Sequence, residues 1–310
     1  MGLMTTYDRA TASDDGDLSP AELANVCEAL IAAWNQDAAP FAQGAAPGSA
    51  AALDVLAIRE AFPQGMPPNL EHAHGQMAGQ MVNAISLQLQ SVITLLRANP
   101  MIPLGLWPLV RSELEYAGRV AWLLESLPGE DAGTRRVARG MLEHLAALQR
   151  QRFTASKWDK PRAKQFKDKR DALLTRIGGL FDDIHTPMEN PQQIDDWRIG
   201  GEAMMPLGRA VSLFLALNLT NGTALYDVLS DNSHPSGVSL AFQSIASDSA
   251  GVTSTIYPAI PRIINFQVRL GCITAYKSAL TMLAYFGFPS TRLDQWADTA
   301  PSKWFGSVSA

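Results

Sequence analysis

The chain has 310 residues, with 25 Lys and Arg against 30 Asp and Glu, a formal net charge of −5 and 47% hydrophobic residues. This balance excludes whole-chain disorder and leaves ample apolar surface for one large domain or two small ones. No apolar run reaches the roughly 20 residues that a bilayer span needs, and the two cysteines, Cys27 and Cys272, lie far apart within apolar helical patterns, which points to neither a disulfide framework nor a cysteine metal site. The expectation is a protein of the reducing cytoplasm with no membrane contact.

Residues 1–18 are polar, with Asp14, Asp15 and Asp17 close together, and read as a disordered acidic leader. Ser19, Pro20 and Glu22 then supply an N-cap, a proline at the first helical position and an acidic first turn. Leu23, Val26, Cys27, Leu30, Ile31 and Trp34 follow at helical spacing. The Ala/Pro/Gly-rich stretch from 35 to 68 reads as a flexible connection with one short helix near 51–62. A long helix is expected from Asn69 to Asn99, ended by Pro100 and Pro103. Further helical patterns cover 104–127, 133–153, 160–180, 206–231 with a break near Gly222, 261–286 and 290–296. Only Val252 to Tyr257 reads as a strand. The fold class is therefore all-α, a single multi-helix bundle of about seven or eight helices spanning residues 19–310.

Two polar faces interrupt these apolar patterns. Arg111, Glu115 and Arg119 are spaced by four and, with Trp122, fall within an arc of about 80° on one helix face. A Glu between two Arg side chains forms charge-assisted bonds, and guanidinium tolerates partial burial. Either an intrahelical ladder or a cluster that faces a ligand or a partner helix has this pattern. Tyr226, Ser230 and His234 make a second set spaced by four, and Pro235 places His234 at a helix C-terminus, where the macrodipole favours its charged form. One reading makes His234 a proton-transfer group beside an arginine-held anion. The other makes it a cap on helix carbonyls, with Tyr226 and Ser230 bridging helices.

The residues Arg111, Glu115, Arg119 and Trp122-Leu123-Leu124, the Arg135, Arg136, Arg139 and Glu143 stretch, and Tyr226-x-x-Leu229-Ser230-x-x-x-His234 resemble an uncharacterised, mainly actinobacterial α-helical group with HEPN-like character. The resemblance covers about residues 100–290 through short, degenerate motifs. It implies a helical bundle of a class that often acts as an RNase through an Arg and a His four to six residues apart. This sequence departs from that pattern. Asp227, Val228 and Leu229 stand where the Arg ahead of His234 belongs, and Arg139 to His144 has the spacing without the polar residue after the Arg. Cleavage would then require Arg111 or Arg119 to meet His234 in space.

Between Arg150 and Arg176 ten basic residues face three aspartates, a local charge of +7 that leaves −12 on the remainder. Lys157, Trp158, Lys160, Arg162, Lys164, Lys167, Lys169 and Arg170, with Phe153 and Phe166 interleaved, are the candidate nucleic-acid-binding residues, since cations meet phosphates while aromatic faces stack on bases. A solvated or intramolecularly paired helix face has the same composition, and a face for a membrane surface is the third reading. His72 and His74 are two apart on a helix and do not chelate together, and Asp182-Asp183 lacks the other half of a diphosphate–magnesium motif. No metal and no cofactor are expected, and nucleotide-binding glycine motifs are absent. The functional expectation is a HEPN-like protein that engages RNA or another anionic partner, with catalytic residues, if it cleaves, drawn from His234, Arg111, Arg119, Glu115, Tyr226 and Ser230. A structural or interaction protein, a helical enzyme or receptor for a small metabolite, and assembly with a second copy stay open.

Overall fold

The structure, a computed structural model, describes residues 17–66, 68–187, 191–219, 223–233, 245–249, 252–256, 260–301 and 304. His234 and most of the acidic leader lie outside the described residues. The chain is all-α, and the described residues form ten helices of nine residues or more rather than seven or eight, a three-stranded scrap of sheet and one β-hairpin. None of the described helices is long and apolar enough to cross a membrane.

Helix α1 (Pro20–Asp37) opens as its sequence predicts: Ser19 Oγ accepts from the Glu22 N–H and Glu22 returns to the Ser19 N–H at 2.8 Å. The 35–68 stretch is more ordered than its composition implies. It holds a 3₁₀ turn (Ala39–Gln43) and α2 (Ala50–Ala61), which Ser49 caps and which buries Asp54 and Ile58. A four-residue helix α3 (Pro68–Glu71) precedes α4 (Ala73–Arg97), so the single run expected from Asn69 breaks at His72. Then come α5 (Leu106–Leu124), α6 (Ala132–Ala155) and α7 (Lys160–Gly178). The expected 206–231 helix divides into α8 (Leu207–Asn218) and α9 (Thr223–Ser233). Helix α10 (Pro261–Phe286) ends at Gly287, whose φ of +76° suits glycine, and α11 (Thr291–Thr299) follows.

Strands β1 (Ile184–His185), β2 (Arg198–Ile199) and β3 (Glu202–Ala203) form an antiparallel meander that periodicity cannot reveal, because two-residue strands carry no pattern. The expected strand near 252–257 exists as β5 (Val252–Ile256), paired antiparallel with β4 (Ile245–Ser249).

The core gathers around α4, α5, α6 and α10. Leu89, Val92, Val120, Trp122, Leu142, Leu145, Val268 and Leu283 are all buried. Cys27 and Cys272 are free and meet there with their sulfurs 3.5 Å apart, joining α1 to α10. The C-terminus of α1 holds the start of α11: Asp37 accepts from the Arg292 and Leu293 backbone N–H groups at 2.9 Å, satisfying donors that open every helix.

Two crossings require glycine. A Cβ on Gly118 of α5 would lie 2.6 Å from the Val211 nitrogen of α8, and one on Gly140 of α6 would lie 2.6 Å from the His74 nitrogen of α4. Backbone atoms cannot yield as side chains do. Gly118→Val is expected to cost about 2–4 kcal/mol by overpacking, whereas Gly178→Ala, with no atom within 4 Å of its Cβ, is expected to be neutral or stabilising. Urea unfolding midpoints of the two variants test this.

Candidate functional site

The polar faces of α5 and α9 do meet. Arg111 Nε donates to Glu115 Oε1 at 3.0 Å, the Tyr226 hydroxyl donates to the same oxygen at 3.0 Å, and the Arg111 guanidinium lies 5.8 Å from the Tyr226 ring centroid. Burial pushes the Tyr226 hydroxyl above its ordinary range, and the Arg111 hydrogen bond only partly offsets that. Ser230 stands one turn further along α9, half-buried. Arg111, Glu115 and Tyr226 are thus a half-exposed, mutually satisfied trio, and His234 is not described.

Arg119 does not join them. It is buried with Nη1 donating to the Met205 carbonyl at 2.5 Å, Nε 3.4 Å from Glu143 Oε2, and its guanidinium 5.5 Å from the Trp122 ring. Burial lowers its pKa against the pull of Glu143. The single stack of three expected from the sequence is split, because eight residues of helix carry Arg119 away from the α9 contact and under α6.

The basic residues fall on the α6–α7 hairpin. Asp159 caps α7 by accepting from the Arg162 N–H at 3.0 Å, and Pro161 sits in the first turn. Of the nineteen residues of α7, only Arg170, Leu173 and Ile177 are buried, and in its first two turns Phe166 alone is a partly buried residue packed against the core. Lys164 pairs with Asp168 at 2.7 Å and Lys167 with Asp171 at 3.7 Å. Among the described residues Lys157, Lys160, Arg162, Lys169 and Arg176 form no ion pair, and all five are exposed. Phe153 is 45% and Trp158 67% exposed. Lys157 lies 4.7 Å from the Phe153 centroid, and Arg162 lies 5.9 Å from Trp158 and 5.8 Å from Phe166. Arg170 is the exception. It is buried, donates to Gln149 Oε1 at 2.6 Å and to Asp171, and fastens α7 to α6 instead of facing a ligand.

The Arg135, Arg136, Arg139 and Glu143 stretch is the polar spine of the bundle. Arg139 donates to Glu202 of β3 at 2.7 Å, to Glu125 at 2.9 Å and to the Trp122 carbonyl at 2.6 Å, while Arg135 takes the other Glu202 oxygen. Arg139 is buried and His144 exposed, so the spacing that resembles an RNase motif belongs to a structural arginine. Arg136 forms a two-pronged pair with Asp54 at 2.7 and 2.5 Å.

The Tyr285 hydroxyl also donates to Asp54, at 2.7 Å, which leaves its own oxygen to accept from His74 Nε2 at 2.5 Å and assigns the proton to that nitrogen. Burial would raise the Asp54 pKa, but bonds from Arg136, His74 and Tyr285 outweigh it and hold the carboxyl at about 2. Burial lowers His74 and raises Tyr285 far above its usual range.

These partners were not evident from the sequence. The available signal was Asp54, a carboxylate set among Ala52, Leu53, Val55 and Leu56 ahead of the polar Arg59-Glu60 end of the helix, where burial requires a basic partner from elsewhere. Glu113, fully buried opposite Gly271, gives no such signal, and burial pushes it up to about 8. Neither of its oxygens has a hydrogen-bond partner among the described residues.

Breaking the Asp54 pair leaves a charge in the core, so Arg136→Met is expected to cost about 3–5 kcal/mol, against about 1 kcal/mol or less for Arg97→Met in the half-exposed pair with Glu28. Asp54, whose folded pKa is lowered, contributes about 2 kcal/mol that is present above pH ~4 and lost as pH falls toward ~2. Glu113, whose folded pKa is raised, works in the opposite direction: its neutral form fits the fold, and stability falls as pH rises from about 4.5 to about 8. Glu113→Gln is expected to flatten that limb and raise the melting temperature at pH 7, measured by calorimetry across pH 3–9. Comparison of the chain with protein-family models, curated proteins and solved structures finds no match.

Proposed function

We propose that this protein engages RNA or another anionic polymer through the tip of the α6–α7 hairpin, as a binding protein. The observation that supports this reading is the exposure of Trp158 and Phe153 beside Lys157, Lys160 and Arg162, cations with no ion-pair partner among the described residues. A large exposed tryptophan is costly on a surface with no partner, and cations interleaved with aromatic faces match the alternation of phosphate and base in a single strand. The all-α fold is the one that the HEPN-like resemblance implies, which makes RNA the first probe.

Cleavage draws no comparable support. Arg119 and Arg139 are committed to buried ion pairs, and Arg111 is held by Glu115 and Tyr226. Arg111 remains the residue an RNase reading would place beside His234.

Fluorescence anisotropy with a labelled single-stranded RNA is the test. Binding is expected to weaken steeply between about 50 and 200 mM salt. Trp158→Ala is expected to lower affinity at all salt concentrations by about 1–3 kcal/mol. Joint replacement of Lys157, Lys160 and Lys169 by Ala is expected to reduce the salt slope by about 2. No binding at low salt would remove the proposal, and RNA fragments that disappear in His234→Ala would extend it to catalysis.

A further inference from the structure

A cleft of about 520 Å³ opens between the first turns of α4, the last turns of α10 and the segment that leads into α2. Its floor is apolar, with Phe41, Ala51, Val55, Met282 and Phe286, and its rim carries Gln76, Gln80 and Asn83. Those three amides are spaced by four and three, so they line one helix face over about 10 Å. They are exposed, and none has a side-chain hydrogen-bond partner among the described residues. An apolar floor under a few convergent polar groups is the usual anatomy of a small-molecule site, and the volume lies within the usual range.

The floor is rigid. His74 and Tyr285 both line the cleft, and the bond between them and the Tyr285 bond to Asp54 hold their rings in place. Both side chains are occupied by bonds to each other and to Asp54, and burial lowers His74 and raises Tyr285, so they serve the cleft as a fixed wall. Gly75 and Gly79 keep α4 bare where it faces the floor: a Cβ would meet Phe286 at 3.3 Å or Met282 at 3.2 Å.

The chemistry of the walls narrows the ligand. A carboxamide presents a donor beside an acceptor, which matches the edge of an amide-like heterocycle, while aromatic rings and a thioether favour a flat face. A carbohydrate would leave hydroxyls against the apolar floor, and an alkyl chain would leave the amides unused. An anion would meet Glu71, the carboxylate on the rim, which Arg59 and His72 already hold at 3.6 and 3.2 Å. We infer that the cleft binds an uncharged planar heterocycle of nucleobase size, its edge on Gln76 and Gln80 and its face on Phe41, Met282 and Phe286.

This site is separate from the hairpin tip. The Asp54 network meets α6 at Arg136, and Phe153 lies seventeen residues further along the same helix, about 26 Å away.

The test uses the full chain, with adenine, guanine, cytosine and uracil as probes in thermal unfolding and titration calorimetry, and benzyl alcohol and inorganic phosphate as controls. At least one base is expected to raise the melting temperature by about 2 °C at ten times its Kd. Gln76→Ala and Gln80→Ala, both at exposed positions, are each expected to weaken that base about tenfold while leaving benzyl alcohol unchanged. Gly79→Leu fills the cleft and should abolish binding. Trp158→Ala should leave base affinity intact. The inference is overturned if no base binds at about 1 mM, if the double Gln76→Ala, Gln80→Ala variant binds as well as the parent, if phosphate competes, or if Trp158→Ala removes base binding and so moves the ligand to the hairpin.

Discussion

The arginines of α6 cannot be buried alone, and the remaining elements are arranged around that constraint. A guanidinium keeps its charge at any accessible pH, so each one taken into the core must be met by carboxylates and carbonyls with nearly full hydrogen bonding. Arg136 brings in α2 through Asp54, and Arg135 and Arg139 bring in β3 through Glu202. Glu143 reaches Arg119 of α5, and Gln149 receives Arg170 of α7. Four elements thus take their positions from polar contacts with α6. Ion pairs of this kind add little net stability over apolar packing, but they penalise any other arrangement of the helices.

Most helices were legible in the sequence because apolar periodicity, prolines and caps agree there. The Ser19–Glu22 box, the Pro100 and Pro103 stop and Asp159 with Pro161 all act locally, and local rules suffice for them. The arrangement of the polar residues was not legible, for a physical reason. Arg111 and Arg119 share one helix face in the sequence, yet α9 covers the first and α6 the second, and which neighbour covers which turn is a tertiary fact. Arg170 is similar: inside a run of lysines it has the composition of a solvated face, but it is the residue of that run whose turn meets α6. Order in the 35–68 stretch was hidden because Ala-rich helices of twelve residues are marginal alone, and α2 depends on the Arg136 bond that its own sequence does not contain.

Polarity is distributed unevenly as a result. Acidic partners that neutralise arginines are consumed inside, at Asp54, Glu143 and Glu202, while Lys157, Lys160, Arg162, Lys169 and Arg176 stand exposed on or beside α7 with no ion pair among the described residues. Glu113 runs against this order, as a carboxyl with no cation, kept neutral by its surroundings. It also opposes Asp54 in pH response: the Asp54 contribution grows as pH rises toward about 4, and the Glu113 contribution shrinks as pH rises beyond about 4.5.

The Cys27–Cys272 contact and the Asp37 cap on α11 join the two ends of the described chain across separations of 245 and 256 residues. A ribosome adding about 5–20 residues per second needs on the order of 10–50 s to make the second partner after the first has emerged. Throughout that interval the face of α1 that carries Leu23, Cys27 and Leu30 has α4 to rest on but neither α10 nor α11. Helix α1 is therefore among the last of the described helices to be fully enclosed, and a nascent chain displays this apolar stripe to chaperones until α10 and α11 arrive.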